Sequence, residues 1–533
     1  MVVSLVNFLL YLCFSLLMGY FLLKSVPENQ RPSIHMSVRL IKGVAAAVPV
    51  LLFVPVIRLI ETLYVQFSIP LLESIATVVF EYSAGQAFLV SIFLTVAIIF
   101  STPVEKWSRF SVFLVVGLVL AASWSSHGSA VAGWVGFIGN ALHLLAVSIW
   151  IGVLAIVAWF AREWEQHQSF YRWFSVTAVF AVIVLIGSGF LLMAAIVPQY
   201  VQSWLLSYGQ ILFIKHLLFL PLLLFGLHHL ILGLRVRVGP STNQIKSFRI
   251  ESLFAFVIFL LSAIMTEQTP PHEVAQVLQT ESVSFLMNIF LEQSLNVQMV
   301  QIVMTAATFV LLAIAVGLFT YASYSLIRSY QYRKATSFFL ISIVFIYVGL
   351  MGSVDVSEGE RDLTVYGSIE EAVEQTYGAD THIDVLHSEY VDEEVYVIYM
   401  VDESDLVAEK LLSTEGGYNR LPNAMLTIGG TAVIEEDQKI RTFRVRSGNW
   451  HNGSNTFTYV TFGMIRKPSE IARVQIHYEG GSYIAELEQN VFINVVSTNE
   501  DWADQHPIDF LASDGQLIET YARNIMEEGV YCH

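Results

Sequence analysis

Residues 139–160, GNALHLLAVSIWIGVLAIVAWF, are apolar enough to cross a bilayer, yet the fifth of them is His143. An ionisable side chain at that depth is costly, about 2.5–3.5 kcal/mol for a full charge at mid-bilayer, so such groups turn toward a protein interior, a cavity or a ligand. Two readings of His143 stand side by side: a hydrogen bond to a neighbouring helix, or a ligand. Trp150, seven positions on, falls on nearly the same helical face. A second apolar run, SYGQILFIKHLL, carries Lys215 and His216, and His127 lies just ahead of the His143 run. Met193, Met265 and Glu267 stand near the ends of further apolar runs. Imidazole with thioether is a donor set for copper, Cu(I) above all, and a poor one for magnesium or calcium. The candidate metal ligands are therefore His127, His143, Met193, His216, Met265 and Glu267, although each methionine alone reads more simply as packing. Lys215 cannot bind a metal while charged and suits gating or exclusion of cations. His228 and His229, in GLHHL, form an exit point or an interfacial pair. Histidines on separate helices, His143 with His216 or His228, could instead hold a b-type haem and pass electrons.

The elements that position these groups follow from composition. Of 533 residues 55% are hydrophobic and 14% charged, the balance of an integral membrane protein. Ten apolar runs read as spanning helices: 3–23, 40–60, 77–100, 108–124, 134–160, 172–196, 208–232, 249–266, 298–325 and 336–352. Alternate connections carry Lys and Arg, among them Lys24, Arg31, Lys106, Arg109, Arg172 and Arg333. The other set, around 61–75, 125–133, 197–207 and 267–297, has none. The positive-inside rule makes the basic set cytoplasmic and puts both termini outside. His127 and His143 then lie toward the outer face, His228 and His229 toward the cytoplasm. The first run lacks the marks of a removable signal and reads as a retained helix.

Charge divides the chain a second time. Residues 1–352 hold 12 acidic and 17 basic side chains, residues 353–533 hold 33 and 11. The second part alternates apolar and polar residues in runs such as EEVYVIYMV, TFTYVTFGMI and NVFINVVS, separated by Gly, Asn and Asp. The expected fold is an all-α polytopic membrane domain of about ten helices, followed by an acidic, extracytoplasmic, β-rich (α+β) domain. Cys13 and Cys532 are too few for a disulfide framework. No phosphate loop, nucleotide fingerprint or helical zinc-protease motif occurs, so nothing supports ATP-driven transport or an enzyme.

Five pieces in order, SSHGSA, LHLLAVSIWIGVL, FYRWFSVTAVFAVIVLIGSGF, SYGQILFIKHLLFLPLLLFGLHHLI and FRIESLFAFVIFLLSAIMTEQTPP, resemble the copper resistance D (CopD) family of bacterial inner-membrane proteins. The resemblance implies copper handling, most often uptake across the cytoplasmic membrane. It carries over to His127, His143, Trp150, Tyr208, Gly209, Lys215, Arg249 and Glu251 as matching positions. It divides the chain into N-terminal helices (1–125), a CopD-like core (126–272), an outer loop with two further helices (273–352) and the acidic domain (353–533). The implied partners are copper, the lipid bilayer and an extracytoplasmic copper chaperone, with no nucleic acid. A copper-inserting assembly factor for a respiratory oxidase is the other copper reading.

Overall fold

The computed structural model describes residues 2–521 except 67–68, 163–167, 235–241, 272–273, 275–276, 279–282, 292–298, 358–363, 376, 378–380, 392, 403–404, 415, 429–437, 448–455, 468–469 and 504–505. The membrane domain is built from α1 (Val2–Ser25), α2 (Val38–Glu61), α3 (Leu71–Phe80), α4 (Ser83–Ser101), α5 (Ser108–Trp124), α6 (His127–Phe160), α7 (Gln168–Ile196), α8 (Ser207–Leu234), α9 (Thr242–Met265), α10 (Phe285–Asn288), α11 (Ala306–Ile327) and α12 (Tyr332–Met351). Among the described residues, ten helices are long and apolar enough to span a membrane. Two spans begin later than their hydropathy predicts. The third starts at Ser83, because residues 71–80 form the separate helix α3. The ninth starts at Ala306, where Thr305 caps it by accepting the Thr308 N–H (3.1 Å). The residues ahead of that cap form strand β3 (Met299–Ile302), which pairs antiparallel with β4 (Val354–Ser357) just after α12. Helix α2 runs on through Pro49 and Pro55, and α6 kinks at Gly133, whose φ of +52° suits glycine.

Side-chain contacts define two ends of the bundle. At one, Lys24 and Arg31 meet Glu105 (3.5 and 2.7 Å), and β1 (Ser33–Ile34) pairs with β2 (Ala161–Arg162). This basic end gathers the close of α1 and α6 and the start of α2 and α5. At the other, the domain end, Glu267 after α9 accepts the Ser4 N–H of α1 (2.9 Å), and α12 runs on through β4.

Helix α1 is the hub, with Leu17, Met18, Phe21 and Leu23 buried. It meets α6 through Ser15 and Gly19, small residues four apart, which pack against Gly152. Lipid gives no hydrophobic drive between helices, so close backbone approach across small residues supplies the attraction. The fit is tight. A Cβ on Gly19 would lie 2.2 Å from the Gly152 carbonyl carbon, and one on Gly152 would lie 2.2 Å from the Ser15 carbonyl oxygen.

The C-terminal part is strand-rich. Strands β5 (Ile383–Val391), β6 (Glu394–Val401), β7 (Asp405–Thr414) and β8 (Gly417–Ile428) form an antiparallel meander. Strand β10 (Thr456–Ile465) sits between β9 (Gln438–Ser447) and β13 (Val491–Thr498). A third sheet runs β12 (Gly481–Glu486), β11 (Arg473–Tyr478), β14 (Ile508–Leu511), β15 (Leu517–Tyr521). Alternation explains the layering. Val460, Phe462 and Met464 of β10 pack toward the first sheet, Phe457, Tyr459 and Ile465 toward the third. Strand β6 is likewise covered twice: Tyr396, Ile398 and Met400 face the second sheet. Val395, Val397 and Tyr399 face α13 (Ile369–Glu374). That is why EVYVIYMV is apolar almost throughout.

The glycine crossing yields a direct test. Gly152→Ala is expected to cost about 1–3 kcal/mol through forced separation of α1 and α6. Gly187→Ala on α7, where a Cβ meets nothing within 4 Å, is expected to be neutral or slightly stabilising. Unfolding of the purified proteins in mixed detergent reads both; equal stability of the two variants would contradict the packing account.

Candidate functional site

The residues with chemical potential sit on α6, α8 and α9, with α7 alongside. His143, half-buried on α6, places Nδ1 3.2 Å from Ser188 Oγ on α7. Ser188 Oγ donates to the Leu185 carbonyl (3.1 Å). A serine hydroxyl has one hydrogen, so that bond makes His143 Nδ1 the donor to Ser188. In that arrangement Nε2 carries the lone pair. The helix–helix hydrogen bond and the ligand reading are thus compatible: one nitrogen anchors the ring, the other stays available.

His216 on α8 is held in the same manner, with Nδ1 2.8 Å from the Tyr200 hydroxyl. His143, Lys215 and His216 lie within electrostatic reach of one another. Lys215 makes no ion pair among the described residues. Of the softer candidates, Met265 is buried with Ile196, Val197 and Leu212 as apolar filling. Met193 is half-buried near the end of α7. Glu267 ties α9 to the start of α1, and the neighbouring Thr266 accepts from Asn7 (2.7 Å). Met265 and Glu267 thus each have structural partners of their own. The side chain of His127 lies outside the described residues. Among the described residues, no three His, Cys, Asp or Glu side chains come together in a group able to hold a metal ion.

Two turns along α6 from His143, about 10 Å, Trp150 is buried, and its Nε1 has no hydrogen-bond partner among the described residues. It faces Gly226 of α8. From the point where a Cβ on Gly226 would stand, Trp150 Cζ2 is 3.6 Å away and Glu251 Oε1 3.9 Å. The missing side chain is what lets the indole and the carboxylate approach one another. Glu251 of α9 is fully buried. Its Oε2 stands 2.7 Å from His229 Nδ1, side-on and without an aligned hydrogen bond, while Oε1 has no hydrogen-bond partner among the described residues. His229 also meets Ser247 through Nε2 (2.9 Å) and stacks on Phe248 (4.2 Å). His228 Nε2 is 3.4 Å from the Tyr332 hydroxyl of α12. Both histidines are buried within the helix bundle. Arg249 braces the fold: its Nε donates to the Ala158 carbonyl near the end of α6 (3.0 Å), and its guanidinium lies over Trp159.

Helices α7, α8 and α9 coincide with a recognisable unit: residues 168–265 match the family model for Copper resistance protein D. The match covers 98 of the 533 residues, so the likeness to that family is one of this segment. The CopD segment holds Lys215, His216, His228, His229, Arg249 and Glu251, while His143 and Trp150 face it from α6. The copper transport protein CutJ of Bacillus subtilis (strain 168) is 29% identical over 212 residues, which cover 37% of this chain and 39% of that relative. The chain is therefore matched over well under half of that relative's length. No solved structure matches the chain. Its long apolar helices make the chain a multi-pass membrane protein.

The buried pair can be tested alone. Glu251→Leu strands His229 Nδ1 in an apolar interior and is expected to cost about 3–5 kcal/mol in detergent unfolding. Adding His229→Leu, which removes the stranded partner, is expected to recover much of that loss. A double variant no more stable than Glu251→Leu would contradict the pairing.

Proposed function

We propose that this chain moves copper ions across the cytoplasmic membrane into the cell, capturing them at the domain end and releasing them at the basic end. The observation that carries this reading is the inward alignment of polar groups along α6, α8 and α9. His143 and His216 stand toward the domain end, Trp150 and Glu251 both lie near Gly226, and His229 and His228 follow toward the basic end. Groups with that cost of burial in a span mark ion pathways more often than packing. The positive-inside rule supports a cytoplasmic basic end, which places the strand-rich domain and both termini outside.

In this reading His143 Nε2 is the capturing ligand, with His127, the first residue of α6, as the second. Imidazole suits copper and is a poor ligand for magnesium or calcium. Lys215, beside the two histidines, repels a second cation and keeps occupancy low. Trp150 and Glu251 border the middle of the route, and the histidine pair lies at its exit.

Copper uptake into vesicles holding the purified protein tests the proposal. His143→Gln is expected to insert normally, to keep a hydrogen bond to Ser188, and to lose at least tenfold in copper uptake. His127→Gln should do likewise, with the double change little worse than either, since both serve one site. Normal uptake by a well-inserted His143→Gln protein would overturn the assignment. Copper retained without uptake would favour the assembly-factor role, and a Soret band in the purified protein would favour haem.

A further inference from the structure

A pair of methionines outside the matched segment converges on one atom near the domain end. Gln210, in the first turn of α8, is buried, and its Nε2 lies 3.2 Å from Met351 Sδ and 3.7 Å from Met287 Sδ. Both methionines are fully buried. They reach Gln210 from 77 and 141 positions away in sequence. Each is fixed by its surroundings. Met287 lies in α10, which Ser284 caps by accepting the Met287 N–H (3.1 Å), while the Ser284 N–H is anchored on the Leu205 carbonyl (2.7 Å). Met351 is the last residue of α12, immediately ahead of the β3–β4 ribbon.

The donor count at this point does not balance. The Gln210 amide nitrogen has two hydrogens, and one goes to the Trp204 carbonyl. The Gln210 carbonyl oxygen accepts from the Tyr347 hydroxyl. One hydrogen is left for two thioethers, so at most one sulfur accepts a hydrogen bond from Gln210 at a time. A methionine that only fills space can turn its sulfur toward any apolar wall; here two turn theirs to the same donor. A cation at that point satisfies both sulfurs at once, and thioether is a ligand that soft Cu(I) accepts and hard cations refuse.

We propose that Met287 and Met351 form a soft-cation site for Cu(I) at the domain end, with the Gln210 amide turning aside to admit the ion. It rests on the copper reading for its cargo but uses neither His143 nor the α6–α9 route. The site lies beside Gln210 of α8, the helix that carries Lys215 and His216 five and six positions further on.

Ag(I), a redox-inert stand-in for Cu(I), is the probe, added to purified full-length protein. Wild type labelled with selenomethionine is expected to show selenium neighbours in the X-ray absorption of bound silver, which separates thioether from the two cysteines. Met287→Leu with Met351→Leu is expected to remove one equivalent of retained Ag(I) per chain, while His143→Gln keeps that equivalent. Only nitrogen and oxygen neighbours around silver in the wild type would overturn the site, whatever the stability of the variants. Unchanged retention in a folded double variant would also overturn it. Loss of uptake in His143→Gln beside a failed silver site would sink this inference and leave the transport proposal standing.

Discussion

Water does not reach the hydrocarbon core, so a carboxylate placed there must be matched inside the protein. Glu251 carries that constraint for this fold. Its fully buried Oε2 meets His229 at 2.7 Å, which fixes the faces that α8 and α9 turn to each other. His228 is the residue before His229, so the same register aims it at Tyr332 and draws in the start of α12. Arg249, two residues before Glu251, is left to cap α6 at Ala158. One buried pair thus sets the relative placement of α6, α8, α9 and α12. It also leaves Oε1 facing Trp150 across the gap at Gly226.

The second constraint is how closely the remaining helices approach this group. Glycine against glycine at the α1–α6 crossing holds α6 against the hub, and α6 presents Trp150 and His143 to the CopD segment. Binding geometry here depends on backbone contact as much as on the polar groups. A ring anchored at Nδ1 by Ser188 keeps its Nε2 direction only while α6 and α7 keep their spacing.

Much of this was legible in the sequence for physical reasons. Spans of twenty apolar residues and the loop charges are local signals, and an imidazole in hydrocarbon stands out wherever it occurs. The pattern of β6 announced a strand, though its burial on both faces emerged only with the sheets packed around it. Other features had no local mark. Gly19 and Gly152 read as apolar filler because their meaning lies in a partner more than a hundred residues away. Met287 and Met351 share no motif and meet only through tertiary structure. Hydropathy ran the ninth span back over β3, since Val and Ile serve a ribbon strand and a helix equally well.

The central claim is that His143 holds its place through one nitrogen and takes the ion through the other. Nitrogen resonances of the labelled imidazole, recorded in the full-length protein with and without Ag(I), test it most directly. The account requires Nδ1 to keep its proton in both states while the Nε2 resonance moves when silver binds. An unchanged His143 imidazole in a protein that has bound silver elsewhere would make the residue a helix anchor only and contradict the claim.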